Sequence, residues 1–155
     1  MLDYETLDAI ADTYTPVLAT LSIGYLLRSI IARNWRRLRL EGLFLFYGMA
    51  VAYGLMFLDN QFALWPIFGL DYSTHTAVAL VLLVFLGLKL KSAWAFWLGS
   101  LISYALLMIY QNYHSLSDIL TTALALCMLL LPAVLLFFRY SVISTNKTTL
   151  QPDEK

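Results

Sequence analysis

Five apolar stretches, parted by short polar breaks, constrain this chain more than any other feature. They run over about 14–32, 42–58, 73–88, 93–110 and 117–138. A helix needs roughly 20 mostly apolar residues to cross the hydrocarbon of a bilayer. A spanning segment must also satisfy its own backbone hydrogen bonds, which selects helices. The expected fold is therefore all-α, a polytopic membrane helical bundle of about five transmembrane helices. The third stretch is short, and is expected to tilt little or to begin inside a buried loop. Composition agrees: 61% of the 155 residues are apolar and 13% are charged. A soluble domain is close to half apolar and a quarter charged.

The charges set the orientation. Lys and Arg gather on the cytoplasmic side of membrane proteins. With five spans and the Arg33–Arg39 break inside, Lys89, Lys91, Arg139, Lys147 and Lys155 also fall inside. Arg28, one turn before that break, reaches the same face by snorkelling. All ten basic residues are then on one side, while Asp3, Glu5, Asp8, Asp12, Asp59, Asp71 and Asp118 are on the other. The N-terminus is expected outside and the C-terminus inside, with a bacterial inner (plasma) membrane as the expected location. The start, Met1-Leu2-Asp3-Tyr4-Glu5, has no basic leader, so the first stretch is expected to remain as an anchor. Residues 1–140 read as one transmembrane domain, and 141–155 as a polar, disordered cytoplasmic tail. Pro132 is expected to kink the fifth helix, with neighbours satisfying the carbonyl it frees.

Several functions are set aside. The single cysteine, Cys127, excludes an internal disulfide and a cysteine-based metal cluster. Two histidines and a few carboxylates fall short of a recognised metal spacing, so neither metal nor other cofactor is expected. The basic run 33–39 reads as a topological signal touching anionic lipid heads rather than a nucleic-acid surface. A bundle this small is compatible with pairing into a homo-oligomer.

Both histidines fall on the outer face. His75 lies in Leu70-Asp71-Tyr72-Ser73-Thr74-His75-Thr76-Ala77, where the third helix opens, and His114 in Tyr113-His114-Ser115-Leu116-Ser117-Asp118-Ile119, where the fifth opens. Ionisable residues at a membrane segment are costly, which makes them functional candidates. His114 and Asp118 are four apart, so in a helix they share a face. A carboxylate on one imidazole nitrogen fixes the tautomer and raises the basicity of the other, as a nucleophilic histidine requires. His75 would then protonate a leaving oxygen. Asp71, Ser73 and Thr74 are N-cap types, and the amides of that first turn favour an anion. Each residue also has a plainer use: an interfacial histidine as an anchor, Asp118 as a partner of the helix dipole, Asp71 and Ser73 as caps.

These two patches resemble the type-2 phosphatidic acid phosphatase superfamily, which includes lipid phosphate phosphatases and, more distantly, sphingomyelin-synthase-like transferases. Tyr72-Ser73-Thr74-His75-Thr76-Ala77 looks like the family's Pro-Ser-Gly-His-Thr motif. His114-Ser115-Leu116-Ser117-Asp118 looks like the His-x-x-x-Asp that ends a later motif. The resemblance covers roughly 42–138. It implies an antiparallel helix bundle with its pocket at the outer leaflet and a phosphoric ester hydrolase or phosphotransferase acting on a lipid phosphate without a metal. His114 would be the nucleophile forming a phosphohistidine, Asp118 would orient it, and His75 would be the acid and then the base. Ser73 would bind a phosphate oxygen, with Asp71, Tyr72, Thr74 and Thr76 beside it in the substrate site. The family's lysine and arginine have no counterpart in Leu58–Pro66, and Met108 stands where the family has the second motif's arginine. Without arginine forks to neutralise a dianionic phosphate, either catalysis is expected to be weaker or the substrate to be a less charged diester, as in head-group transfer. The alternative is a catalytically silent relative that binds lipid or serves in a membrane assembly.

Overall fold

A computed structural model of the protein describes residues 4–149. Among them there are five α-helices and no strand: α1 (Tyr4–Ile31), α2 (Trp35–Phe62), α3 (Thr74–Lys89), α4 (Trp94–Tyr110) and α5 (Leu116–Thr149). Three of them, α1, α2 and α5, are long and apolar enough to cross a membrane; α3 and α4 are shorter apolar helices.

Helices α1, α2 and α5 extend beyond the apolar stretches that announced them. α1 begins at Tyr4 rather than near 14, and α2 at Trp35 rather than near 42. Hydropathy marks only the apolar part of a helix, and nothing in the polar turns before it breaks the backbone ladder. Asn34 starts α2 by accepting the Arg37 amide on its side chain, an ordinary N-cap. Helix α5 continues past Tyr140 to Thr149, into the stretch expected as a tail. Neither Gly nor Pro occurs from Ala133 to Gln151 to stop it. The rest of the expected tail, 150–155, lies outside the described residues.

Helix α3 is the centre of the bundle. It packs against all four other helices, which close around it in the order α1, α2, α5, α4. Its sequence, apolar on every face, suits that place. Ala77, Ala79, Val81, Phe85 and Leu86 are fully buried. Gly48 on α2 lets the backbones of α2 and α3 meet, because a Cβ there would stand 2.5 Å from Val81 Cγ1. Ala52, one turn on and also fully buried, continues this small-residue seam. The outer face of the ring carries exposed Phe46, Phe57, Phe96, Leu124, Met128 and Leu136, an apolar surface suited to hydrocarbon. Pro132 stands inside α5, and the Tyr47 hydroxyl of α2 donates to the nearby Leu129 carbonyl at 2.8 Å.

The up-and-down order sends the basic helix ends to one pole and the acidic ends, with both histidines, to the other. The basic pole holds one buried acid. Glu41 Oε1 accepts from Lys89 Nζ at 2.6 Å and from Arg37 Nε at 2.7 Å, and Glu41 Oε2 accepts from the Ser29 hydroxyl at 2.6 Å. Lys89 also lies 4.3 Å from the centre of the Phe137 ring, so one carboxylate gathers α1, α2 and α3 while its lysine touches α5.

Candidate functional site

The acidic pole is built by stapling the loop 63–73 onto the first turns of α5. Ala63 ends α2 in the left-handed region (φ 52°). Asp59 then accepts the Trp65 amide at 2.8 Å. Trp65 Nε1 donates to Thr121 Oγ1 at 3.0 Å, and Tyr72 meets the Trp65 ring edge-on at 4.9 Å. The Tyr72 hydroxyl donates to the Ala52 carbonyl at 2.8 Å. Burial, reinforced by the negative charge of Asp59, pushes the Tyr72 pKa up to about 12, so the group stays a neutral donor. Asp71 N–H donates to Asp118 Oδ1 at 2.8 Å, and Ser73 N–H to Thr122 Oγ1 at 3.1 Å. The start of α3 is thereby held in place against the start of α5.

Ser73 caps α3. Its Oγ accepts the Thr76 amide at 3.3 Å and pairs with Thr76 Oγ1 at 2.8 Å. Ser73 is fully buried and Thr76 nearly so, so the two hydroxyls face each other. Asp118 is a cap as well. Ser115 N–H donates to Asp118 Oδ2 at 2.8 Å and Asp118 N–H to Ser115 Oγ at 3.2 Å, a reciprocal capping box. Both Asp118 oxygens therefore serve backbone amides.

The carboxylate that faces His114 comes instead from the other motif. Asp71 Oδ2 is 3.4 Å from His114 Nδ1. That separation is an electrostatic contact rather than a hydrogen bond, and Nδ1 is buried without a hydrogen-bond partner. Burial lowers the His114 pKa below its ordinary value. Asp71 and Asp118 oppose that effect, and His75 adds to it. The imidazole is thus neutral at pH 7. His75 itself is exposed and lines a pocket of about 250 Å³ with Thr74, Asp12, Thr15 and Tyr53.

Sequence reasoning missed several residues at this pole. Early in α1, Asp12 and Thr15 line the pocket, and Asp8 accepts from the Tyr113 hydroxyl. Gln111 is buried with both side-chain polar atoms lacking a partner. Its place three residues before His114 was the available signal. Buried unpaired groups cost about 1–3 kcal/mol each, and a polar ligand atom would satisfy them. Every described lysine and arginine lies toward the opposite pole. Among the described residues, no group of three or more His, Cys, Asp or Glu is placed to hold a metal ion.

Comparison with family models, with curated proteins and with solved structures gives no match.

Proposed function

We propose that this protein spans a bacterial inner membrane five times, with its N-terminus outside and its acidic pole at the outer leaflet. There it transfers or hydrolyses the head group of a phospholipid through a phosphohistidine on His114. The observation that carries this reading is Asp71 Oδ2 standing 3.4 Å from Nδ1 of a neutral His114, with the starts of α3 and α5 joined by backbone amides that donate to Asp118 and Thr122. The resemblance of both patches to the type-2 phosphatidic acid phosphatase superfamily supports the same chemistry.

Charge selects the substrate class. Asp12, Asp71 and Asp118, with no lysine or arginine of the described residues beside them, would repel a dianionic monoester. A zwitterionic phosphodiester brings its own cation. Its amine would lie toward Asp12 and Asp71 and its phosphate toward the imidazoles. His114 Nε2, the nitrogen away from Asp71, attacks phosphorus as the ester P–O bond breaks. His75 gives its proton to the departing alcohol oxygen. His75 then takes a proton from water or an acceptor alcohol, whose oxygen displaces His114 from phosphorus. Asp71 stabilises the cationic imidazole while the phosphoryl group is attached. This reassigns the orienting role from Asp118 to Asp71.

A second reading is a catalytically silent relative that binds lipid or joins a membrane assembly. It draws support from Ser73 and Asp118 both being taken up as caps. The deciding experiment uses the detergent-purified full chain with phosphatidylethanolamine, phosphatidylcholine and phosphatidic acid, each labelled at phosphorus. Head-group release and an acid-labile label lost in His114→Ala support the enzyme. Absence of turnover and label on all three lipids supports the silent relative.

A further inference from the structure

Helix α3 is ringed by the other four helices, yet His75 on it is exposed. It lines a pocket of about 250 Å³ between the acidic-pole halves of α1 and α2. Asp12 and Thr15 face this pocket from α1, Tyr53 from α2, and Thr74, His75 and Val78 from α3 behind them.

Helix rise gives the depth of the pocket. Ser29, Glu41 and Lys89 meet at the basic pole. From that contact, Asp12 and Thr15 stand about 25 and 21 Å along α1, Tyr53 about 18 Å along α2, and His75 and Val78 about 21 and 16 Å along α3. Three helices thus place the pocket at one height. With the Glu41–Lys89 pair at the basic-side edge of a roughly 30 Å hydrocarbon core, that height lies in the far leaflet, below its surface. An ionisable side chain at such a depth is costly and marks a cavity or a substrate path.

Pro16 adds to the acceptors there. It stands inside α1 and has no amide, so the Asp12 carbonyl one turn earlier loses its i+4 donor. Asp12 therefore offers a carboxylate and a carbonyl deprived of its ladder partner. Beside them are the Thr15 and Thr74 hydroxyls and the half-exposed Tyr53 ring. Oxygen acceptors grouped with an aromatic face suit a cation. A primary ammonium brings three N–H donors to them, whereas a quaternary ammonium brings none.

We infer that this pocket takes the primary ammonium of an aminophospholipid, which enters sideways between α1 and α2 from the acidic-side leaflet. The Asp12 carboxylate and carbonyl accept from the ammonium, the phosphate lies at His75, and the acyl chains pass Tyr53 and Val78 into the leaflet. The inference rests on the zwitterionic substrate class proposed above and narrows it to ethanolamine-type head groups.

The test uses the full chain carrying His114→Ala, so that bound lipid is not consumed. It is titrated in detergent with dioleoyl phosphatidylethanolamine, phosphatidylcholine or phosphatidylglycerol, and retained lipid is read by native mass spectrometry. Phosphatidylethanolamine should be held most tightly and phosphatidylglycerol least. Asp12→Asn, an isosteric change at an exposed position, should weaken phosphatidylethanolamine binding on the order of tenfold, the loss of one charge-assisted hydrogen bond. Pro16→Ala, which restores the amide, should weaken it severalfold. Glu5→Gln, on α1 but outside the pocket, should leave it unchanged. Glycerophosphoethanolamine, the head group without acyl chains, should compete far less well than the lipid. Equal retention of phosphatidylethanolamine and phosphatidylcholine, unaltered binding in Asp12→Asn, or full competition by the soluble head group would each overturn the assignment. Phosphorus labelling of the chain with native His114 is read separately. Selective, Asp12-dependent binding without label supports the pocket and refutes the chemistry. Label that is indifferent to Asp12→Asn and to the head group refutes the pocket and leaves the chemistry standing.

Discussion

Asp71 faces His114 across two helix starts, Oδ2 to Nδ1 at 3.4 Å, while its own backbone amide is held by Asp118. The two aspartates therefore have separable duties. One presents a carboxylate to the imidazole, and the other holds the backbone that presents it.

Asp71→Asn should leave the fold intact, because the Asp71 side chain is 69% exposed. It should slow formation of the proposed phosphohistidine by roughly 100-fold, the lower range for loss of acid–base assistance. Asp118→Ala should instead destabilise the bundle by about 2 kcal/mol, since it strands the amides of Ser115 and Asp71. Denaturation in mixed micelles, run beside single-turnover labelling, separates the two. A stability loss from Asp71→Asn equal to that from Asp118→Ala would contradict this division.

The pH dependence follows from the lowered His114 pKa. Between that value and about 6.5, the unfolded chain protonates this histidine and the folded one does not. Its contribution to stability is therefore level above about 6.5 and falls as pH drops through that window. Labelling should persist within that window, because the proposed nucleophile remains neutral there. Asp71→Asn should lower the His114 titration further, and His75→Gln should raise it, matching the opposite signs of the two neighbours. Imidazole proton resonances followed across pH in micelles provide the check. Shifts in the same direction would refute it.

The Glu41–Lys89 pair should behave as a buried ion pair. Glu41→Ala leaves Lys89, whose side chain is 5% exposed, without its carboxylate, and should cost about 3–5 kcal/mol. Glu41→Leu combined with Lys89→Met should recover most of that loss, because neither charge then remains buried alone. A thermal-unfolding double-mutant cycle reads the coupling. An additive result would show that the pair is not coupled.

Gly48 should be the least tolerant glycine of the helical interiors. Gly48→Ala drives a methyl against Val81 Cγ1, a β-branched side chain with little rotamer freedom. The expected loss is about 1–3 kcal/mol. Gly24→Ala and Gly54→Ala meet open space and should be neutral or slightly stabilising. Val81→Ala should partly rescue Gly48→Ala, which thermal denaturation of the single and double variants would show.

The sequence by itself determined the helical class, the number of helices and the separation of charge, because apolar runs and loop charges are local and additive along the chain. Both histidine motifs were also legible as helix starts. It did not reveal that α3 is the axis rather than one member of a row. Nor did it show that the first turns of α1 enter the pocket, or that Glu41 reaches across to Lys89. It paired His114 with Asp118 because i,i+4 spacing is the only proximity a single helix displays. Tertiary structure decided otherwise: α5 starts at Leu116, after His114, and Asp118 in its first turn accepts the amides of Ser115 and Asp71, so the loop held there brings Asp71 to the imidazole. Partners 47 or 48 residues apart arise only when helices pack, and no periodicity along the chain encodes them.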